Sequence, residues 1–299
     1  MRLSMDVARG ALYGVAVADA LGATLEFMSA AEIARRYGTL RDIVGGGWLA
    51  LRPGQVTDDT EMTLAVAEGI AEQPDAPVEA VGRRFIEWQD TQPRDVGRTC
   101  AIALKYARRR GWADAARFAH DDLGGRSAGN GSLMRSAYPG LWYADRAQAL
   151  RVAVELSRMT HYDPLASEAC KLYTAAIWDM ARGGVPARQA LKAAFGGTRY
   201  QAALAGQARL DPTGFVVDTL NCALDAVART SSLEDAIVRA VNLGGDADTV
   251  GAVAGGLAGA MYGYDSIPTR WREALDMRIR ARLDAAAERA VNAGADLAQ

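Results

Sequence analysis

Two stretches of this chain concentrate oxygen-bearing side chains. Thr57, Asp58 and Asp59 open "TDDTEMTLAVAEGI", and Asp246, Asp248 and Thr249 open "DADTVGAVAGG" after two glycines. Each stretch passes into an apolar run with helical spacing, so both sets fall at helix starts. A plain N-cap needs one Asp, Ser or Thr, with a Glu three residues on in its fuller form. Thr57 meets that need, and acids in a first turn also complement the helix dipole. Taken alone, the first cluster reads as a capped helix before it reads as a site. The second cluster reverses that reading. Four carboxylates and two threonine oxygens can converge on one point, and that many like charges converge only around cations. Hard oxygen ligands select Mg²⁺ or Mn²⁺ over zinc, and a shared set of carboxylates suits a pair of such ions. An EF-hand is excluded, because Val250 and Leu257 stand where that loop needs oxygen ligands. With the ligand role assigned to its neighbours, Glu61 is expected to be the acid that caps the first helix.

The elements that position these residues read as helices nearly throughout. Segments such as "EAVGRRFIEWQD", "DRAQALRVAVELSRM" and "LASEACKLYTAAIWDMARGG" carry apolar residues at three- and four-residue spacing, with Gly or Pro stops. Alternating β-branched runs are nearly absent, and no linker or repeat divides the chain. The expectation is a single all-α domain over 1–299, a compact orthogonal bundle of roughly a dozen or more helices. Two helices carry small residues four apart: Gly10, Gly14, Ala18 and Gly22 in the first, Gly251, Gly255, Gly259 and Gly263 near the end. A helix-interior Gly costs about 1 kcal/mol relative to Ala, so each stripe demands a close helix contact, possible between the two stripes themselves. The Arg-rich "TRWREALDMRIRARLDAAAERAV" reads as an amphipathic surface helix.

The chain has 299 residues, 50% of them hydrophobic, and a formal net charge of −2. That length buries a substantial core, and the charge balance gives no support to nucleic-acid binding. Cys100, Cys170 and Cys222 form no CxxC pair, which suits buried thiols in a reducing compartment. The N-terminus loosely mimics a signal peptide, but Asp6 and Asp19 interrupt it. The longest apolar run falls short of the roughly 20 residues a spanning helix needs. A cytoplasmic protein with no transmembrane segment is expected.

At this point the motifs, taken together, resemble the ADP-ribosylglycohydrolase family. "TDDTEM" and "GGDADT…GAVAGGLAGAMYG" are similar to its two metal motifs, and "GVAVADALGATLEF" to its first-helix motif, with Ala18-Asp19 where Gly-Asp is usual. "RDVGRTC", "GNGSLMR" and "MTHYDPLASEAC" follow in the family's order, so the resemblance spans nearly the whole chain. "GGGWLALRPGQVTDDTEM", "VVDT" at Asp218 and "IPTRWREALDM" resemble the bacterial dinitrogenase reductase-activating branch, which regulates nitrogen fixation.

The resemblance implies a hydrolase that removes ADP-ribose from an arginine side chain of a modified protein with two Mg²⁺ or Mn²⁺ ions. It makes Thr57, Asp58, Asp59, Asp246, Asp248 and Thr249 the metal ligands. Asp95 becomes the catalytic carboxylate, and Glu26 a carboxylate that touches a metal or its water. Ser127, Gly129, Asn130 and Gly131 become a diphosphate cradle, with His161 beside it and Gly97 lining the substrate pocket. A PII-type signalling protein is the regulatory partner that the branch suggests. Asp19 reads as a support behind the ligands, and His120 as a surface residue. Arg98 and Asp163 depart from the family pattern and are expected near the substrate. "GRSAG" at 125–129 fits the nucleophile-elbow pattern but lacks the strand that motif requires. Other ADP-ribose conjugates (serine-linked or O-acetyl), a two-metal nucleotide phosphohydrolase and an ADP-ribose-binding or crystallin-like structural protein are the competing readings.

Overall fold

A computed structural model of the chain describes residues 2–296. Among them lie sixteen α-helices. The first eight are α1 (Met5–Gly22), α2 (Ala30–Tyr37), α3 (Asp58–Glu72), α4 (Pro77–Asp90), α5 (Arg98–Arg110), α6 (Ala115–Asp122), α7 (Ala137–Trp142) and α8 (Arg146–Ser157). The second eight are α9 (Pro164–Arg182), α10 (Ala187–Phe195), α11 (Gln201–Leu204), α12 (Val216–Ala228), α13 (Leu233–Val241), α14 (Ala247–Tyr262), α15 (Thr269–Ala274) and α16 (Met277–Asp296). Extended pairing among the described residues is limited to isolated bridges, such as Ser29 with Gly244 and Gly129 with Phe215. The all-α expectation holds. No helix among the described residues is long and apolar enough to cross a membrane.

Two glycine stripes make the central contact. α1 packs more extensively on α14 than any other pair of helices among the described residues. A methyl group on Gly14 would overlap the backbone of Gly255, and one on Gly10 that of Gly259 and Gly263. Gly22 lies against the backbone of Ala247 and Asp248, at 2.5 and 2.6 Å from where its Cβ would stand. The stripes thus face each other, and the Gly cost in helix propensity is offset by backbone-to-backbone packing that any side chain would prevent. Because α1 ends on the first residues of α14, this contact also fixes where Asp246 and Asp248 stand.

The same helix fixes the other acidic start. Asp19 of α1 is fully buried, and its carboxylate accepts from the N–H groups of Thr57 and Thr60 at 3.1 Å and from the Thr60 hydroxyl. It therefore caps α3 from a neighbouring helix, taking N–H groups that the helix itself leaves unpaired. Thr57 is the sequence-local N-cap, as expected, with its hydroxyl 3.4 Å from the Asp59 N–H. Glu61 is not a capping acid. It sits one position too far into α3 to form a capping box, and the Thr57 N–H is already held by Asp19. Its carboxylate instead accepts from the Trp88 indole of α4.

One apolar cluster runs from Leu3 to Ala290 and includes core positions of most helices. α16 lies on α1, α3 and α7 with Leu283, Ala286, Ala287 and Ala290 buried. Its polar side carries ion pairs such as Arg282 with Glu68 at 2.8 Å, in keeping with a half-solvated helix.

Candidate metal and substrate site

The two acidic helix starts meet. Thr249 donates to Asp59 Oδ2 at 3.2 Å, joining α14 to α3. Glu26, from the turn after α1, joins Asp246 and Asp248 in a trio whose ligand oxygens lie within 4.8 Å of one another. Asp58 belongs to the same cleft, and the Gly97 N–H approaches its Oδ2 at 3.4 Å. Asp95 stands beside them. Its carboxyl is raised from the usual range by partial burial and then by the charge of Asp246.

These carboxylates are poorly compensated by the protein itself. Burial pushes Asp58, Asp59 and Asp248 well above the ordinary carboxylate range, and neighbouring carboxylates push them further. Burial likewise raises Glu26 to about 7, against the lowering effect of its bond from the Trp48 indole. Asp59 Oδ1 is buried and has no hydrogen-bond partner. An orphaned carboxylate oxygen of this kind is costly unless a cation meets it. Hard oxygen donors, a shortage of protein cations and one unpartnered lone pair together fit divalent ions such as Mg²⁺ or Mn²⁺.

The Gly-rich segment forms the adjoining surface. Asn130 Nδ2 donates to Asp246 Oδ2 at 2.8 Å and to Thr219 Oγ1 at 2.9 Å, tying the loop to the acidic cluster and to α12. A Cβ at Gly129 would stand 3.3 Å from His161 Nε2, and one at Gly131 would stand 3.1 Å from Cys100 Sγ. Side chains there would fill the hollow that the glycines leave in front of His161. That imidazole is buried, and burial followed by the charge of Arg135 lowers it to about 3, so it is neutral. Arg135 donates to Thr160 Oγ1 at 2.7 Å, and Thr160 lies 2.8 Å from His161 Nδ1. The Thr160 hydroxyl proton can then serve Nδ1, which assigns Nε2–H as the donor facing the hollow.

The resulting cleft has a volume of about 350 Å³. It brings together Glu26, Asp58, Asp246, Asp248 and Thr249, the Gly129–Asn130–Gly131 turn with His161, and Asp95, Gly97 and Arg98. Thr57 and Asp59 lie behind this lining, bonded to it through Asp59 and Thr249. Ser127 does not line the cleft. It is fully buried, with its hydroxyl 2.6 Å from His120 Nδ1. His120 is accordingly no plain surface residue, since it holds Ser127 and packs edge-on against Tyr162. That Ser–His pair is no hydrolytic dyad, because the hydroxyl is sealed off and a helix and turn precede it. Asp163 also differs from expectation. It caps α9 by accepting from the Leu165 N–H at 2.8 Å, a role set by Pro164 at the first helical position.

A comparison with known proteins gives this geometry its place. Residues 2–298 match the profile of the ADP-ribosylglycohydrolase family. The chain belongs to that family. It is 37% identical to the ADP-ribosyl-[dinitrogen reductase] glycohydrolase of Rhodospirillum rubrum over 283 residues, covering 93% of each chain. It is 30% identical to the ADP-ribosylarginine hydrolase Tri1 of Serratia proteamaculans, covering 91% of this chain and 76% of that one. A solved structure described as an ADP-ribosylglycohydrolase-related protein complex superimposes with a TM-score of 0.83 at 34% identity, over 97% of this chain and 98% of that one. This ADP-ribosylglycohydrolase is therefore an enzyme of the glycosidase class.

Three residues of the site escape sequence reasoning. Arg135 is almost fully buried, bonds the Gly131 carbonyl at 2.5 Å and lies over the Phe85 ring at 4.7 Å. Its one sequence signal is a lone Arg ending the small and apolar run after Gly-Asn-Gly. Phe27 and Trp48 also line the cleft, and the three glycines before Trp48 are the signal that could have marked it.

Proposed function

We propose that this enzyme hydrolyses the N-glycosidic bond between ADP-ribose and an arginine side chain of a modified protein, dinitrogenase reductase being the favoured target. The observation that carries the reading is the convergence of both acidic helix starts, the Gly-rich turn and Asp95 on one cleft. Thr57, Asp58, Asp59, Asp246, Asp248 and Thr249, with Glu26, would hold two divalent ions. When bound, such ions supply charge that grips the ribose hydroxyls and orients the anomeric carbon.

The chain's own residues account for the remaining chemistry. Gly129, Asn130 and Gly131 present backbone to the diphosphate, and glycines allow the close approach that phosphate needs. His161 donates from Nε2 and stays neutral at working pH, so its contribution does not titrate away. As the C–N bond breaks, the sugar passes through an oxocarbenium-like state that the adjacent carboxylate of Asp95 stabilises. Water adds to the anomeric carbon and passes a proton to Asp95. The guanidinium leaves as a neutral guanidine and is reprotonated by solvent, so no strong general acid is required. Asp95, whose carboxyl burial and the charge of Asp246 push above the usual range, is suited to accept a proton. Three buried, free cysteines suit a reducing cytoplasm, and a PII-type signalling protein is the proposed regulatory partner.

Product identity tests the reading. With Mn²⁺ and ADP-ribosyl-agmatine, chromatography should find intact ADP-ribose and agmatine. Phosphate or AMP would point to a phosphohydrolase, and turnover confined to serine-linked or O-acetyl conjugates would move the substrate class.

A further inference from the structure

Phe27 and Trp48 take no part in the steps above, yet both line the cleft. Their ring centroids are 5.4 Å apart, and the residues are 68% and 53% exposed. The backbone holds them outward at some cost. Phe27 stands at φ 62°, a left-handed conformation unfavourable for a bulky side chain. Trp48 follows Gly45, Gly46 and Gly47 in a turn closed by paired hydrogen bonds between Gly46 and Leu51 at 2.7 and 2.9 Å. Arg94 braces that turn through the Leu49 carbonyl at 2.9 Å. The Phe27 N–H donates to the Gly245 carbonyl at 2.6 Å, next to Asp246.

The contacts run in a fixed order. Trp48 Nε1 donates to Glu26 Oε2 at 2.5 Å, and Glu26 stands with Asp246 and Asp248. Asp246 in turn accepts from Asn130 of the Gly-rich turn. The aromatic pair and that turn are thus the two ends of one row, with the carboxylates between them. A diphosphate on the turn and a ribose on the carboxylates leave the group attached to the anomeric carbon at the aromatic end.

We infer that Phe27 and Trp48 form the subsite for the arginine of the substrate, its planar guanidinium stacking on their exposed faces between them and the carboxylates. Aromatic faces bind planar cations of this kind, the indole best of all. The assignment rests on the proposed arginine-linked substrate and makes these rings a determinant of linkage specificity. Adenine is the other ring that could stack there, but it lies at the far side of the diphosphate from the anomeric carbon.

Calorimetry in the Asp95→Asn background, with Mn²⁺ present, tests the subsite without consuming the conjugate. The probes are ADP-ribosyl-agmatine, which carries the guanidinium, and free ADP-ribose, which does not. Phe27→Ala removes a ring that makes no bond to a carboxylate, and should weaken the conjugate about tenfold while leaving ADP-ribose unchanged. Trp48→Ala should lower the ratio of the two affinities by a similar factor, and Trp48→Phe, which keeps a ring but loses the bond to Glu26, should restore it. Equal weakening of both ligands would assign the rings to adenine and overturn the inference, as would no change in either. A Trp48→Phe ratio as low as that of Trp48→Ala would leave Trp48 with only its bond to Glu26 and would equally overturn the stacking. Ring-dependent binding by a wild-type enzyme that releases no ADP-ribose would instead sink the proposed reaction and leave the subsite standing.

Discussion

In the proposed reaction the carboxylates of the cleft divide into those that would hold metal and one, Asp95, that would react. Asp95 lies in the cleft but is absent from the compact Glu26–Asp246–Asp248 trio. Asp95→Asn should therefore lower kcat by about 10²- to 10⁴-fold while calorimetric Mn²⁺ affinity stays as it was. Asp248→Ala should abolish high-affinity Mn²⁺ binding as well as turnover, since its carboxylate belongs to the trio. The raised carboxylates also make stability depend on pH. Without metal, Glu26 at about 7, Asp19 at about 6 and the raised Asp58, Asp59 and Asp248 hold protons in the folded state that the unfolded chain has released. Stability from these groups is present at low pH and is lost as pH rises from about 4 through about 7. Metal favours the deprotonated forms, so Mn²⁺ should raise Tm more at pH 8 than at pH 5, as thermal melts with and without Mn²⁺ would show. At this scale the acidic cluster was legible, because acids doubled at two helix starts exceed any capping need. Glu61 was not, since which acid caps and which meets Trp88 depends on a tertiary contact from Asp19.

Helix α1 gives the site its geometry. Its stripe meets α14 backbone to backbone, and its Asp19 holds the start of α3. Gly255→Ala would place a methyl group into the backbone of Gly14, and should destabilise by about 1–3 kcal/mol or more in denaturant melts. Asp19→Ala should lower both Tm and Mn²⁺ affinity, because the N-terminal N–H groups of α3 lose their acceptor and Asp58 and Asp59 lose their anchor. A drop in Tm with metal affinity untouched would show that α3 is placed by its core face alone. The stripes were legible from four-residue Gly spacing, and their mutual contact follows from the cost of Gly in a helix. The shorter helices were less so. α11 spans only Gln201–Leu204, too short for a periodic pattern to declare itself.

Across the whole molecule, one apolar cluster drawing residues from both ends of the chain supports our reading of a single folding unit. The cleft opens where α1 ends and α14 begins, so fold and site share one origin in the α1–α14 contact. The all-α class followed from periodicity, and the order of motifs located the cleft. Sequence could not place Arg135, Trp48 or the Ser127–His120 pair, because each is defined by contacts with residues outside its own short motif. The central claim is tested most directly on a protein ADP-ribosylated at arginine, such as dinitrogenase reductase, followed by mass spectrometry and chromatography. With the enzyme and Mn²⁺, the account predicts unmodified arginine and an equivalent of intact ADP-ribose, with neither formed when a chelator is present. A modified arginine that persists with Mn²⁺, or one that loses only AMP and keeps the ribose phosphate, would contradict it.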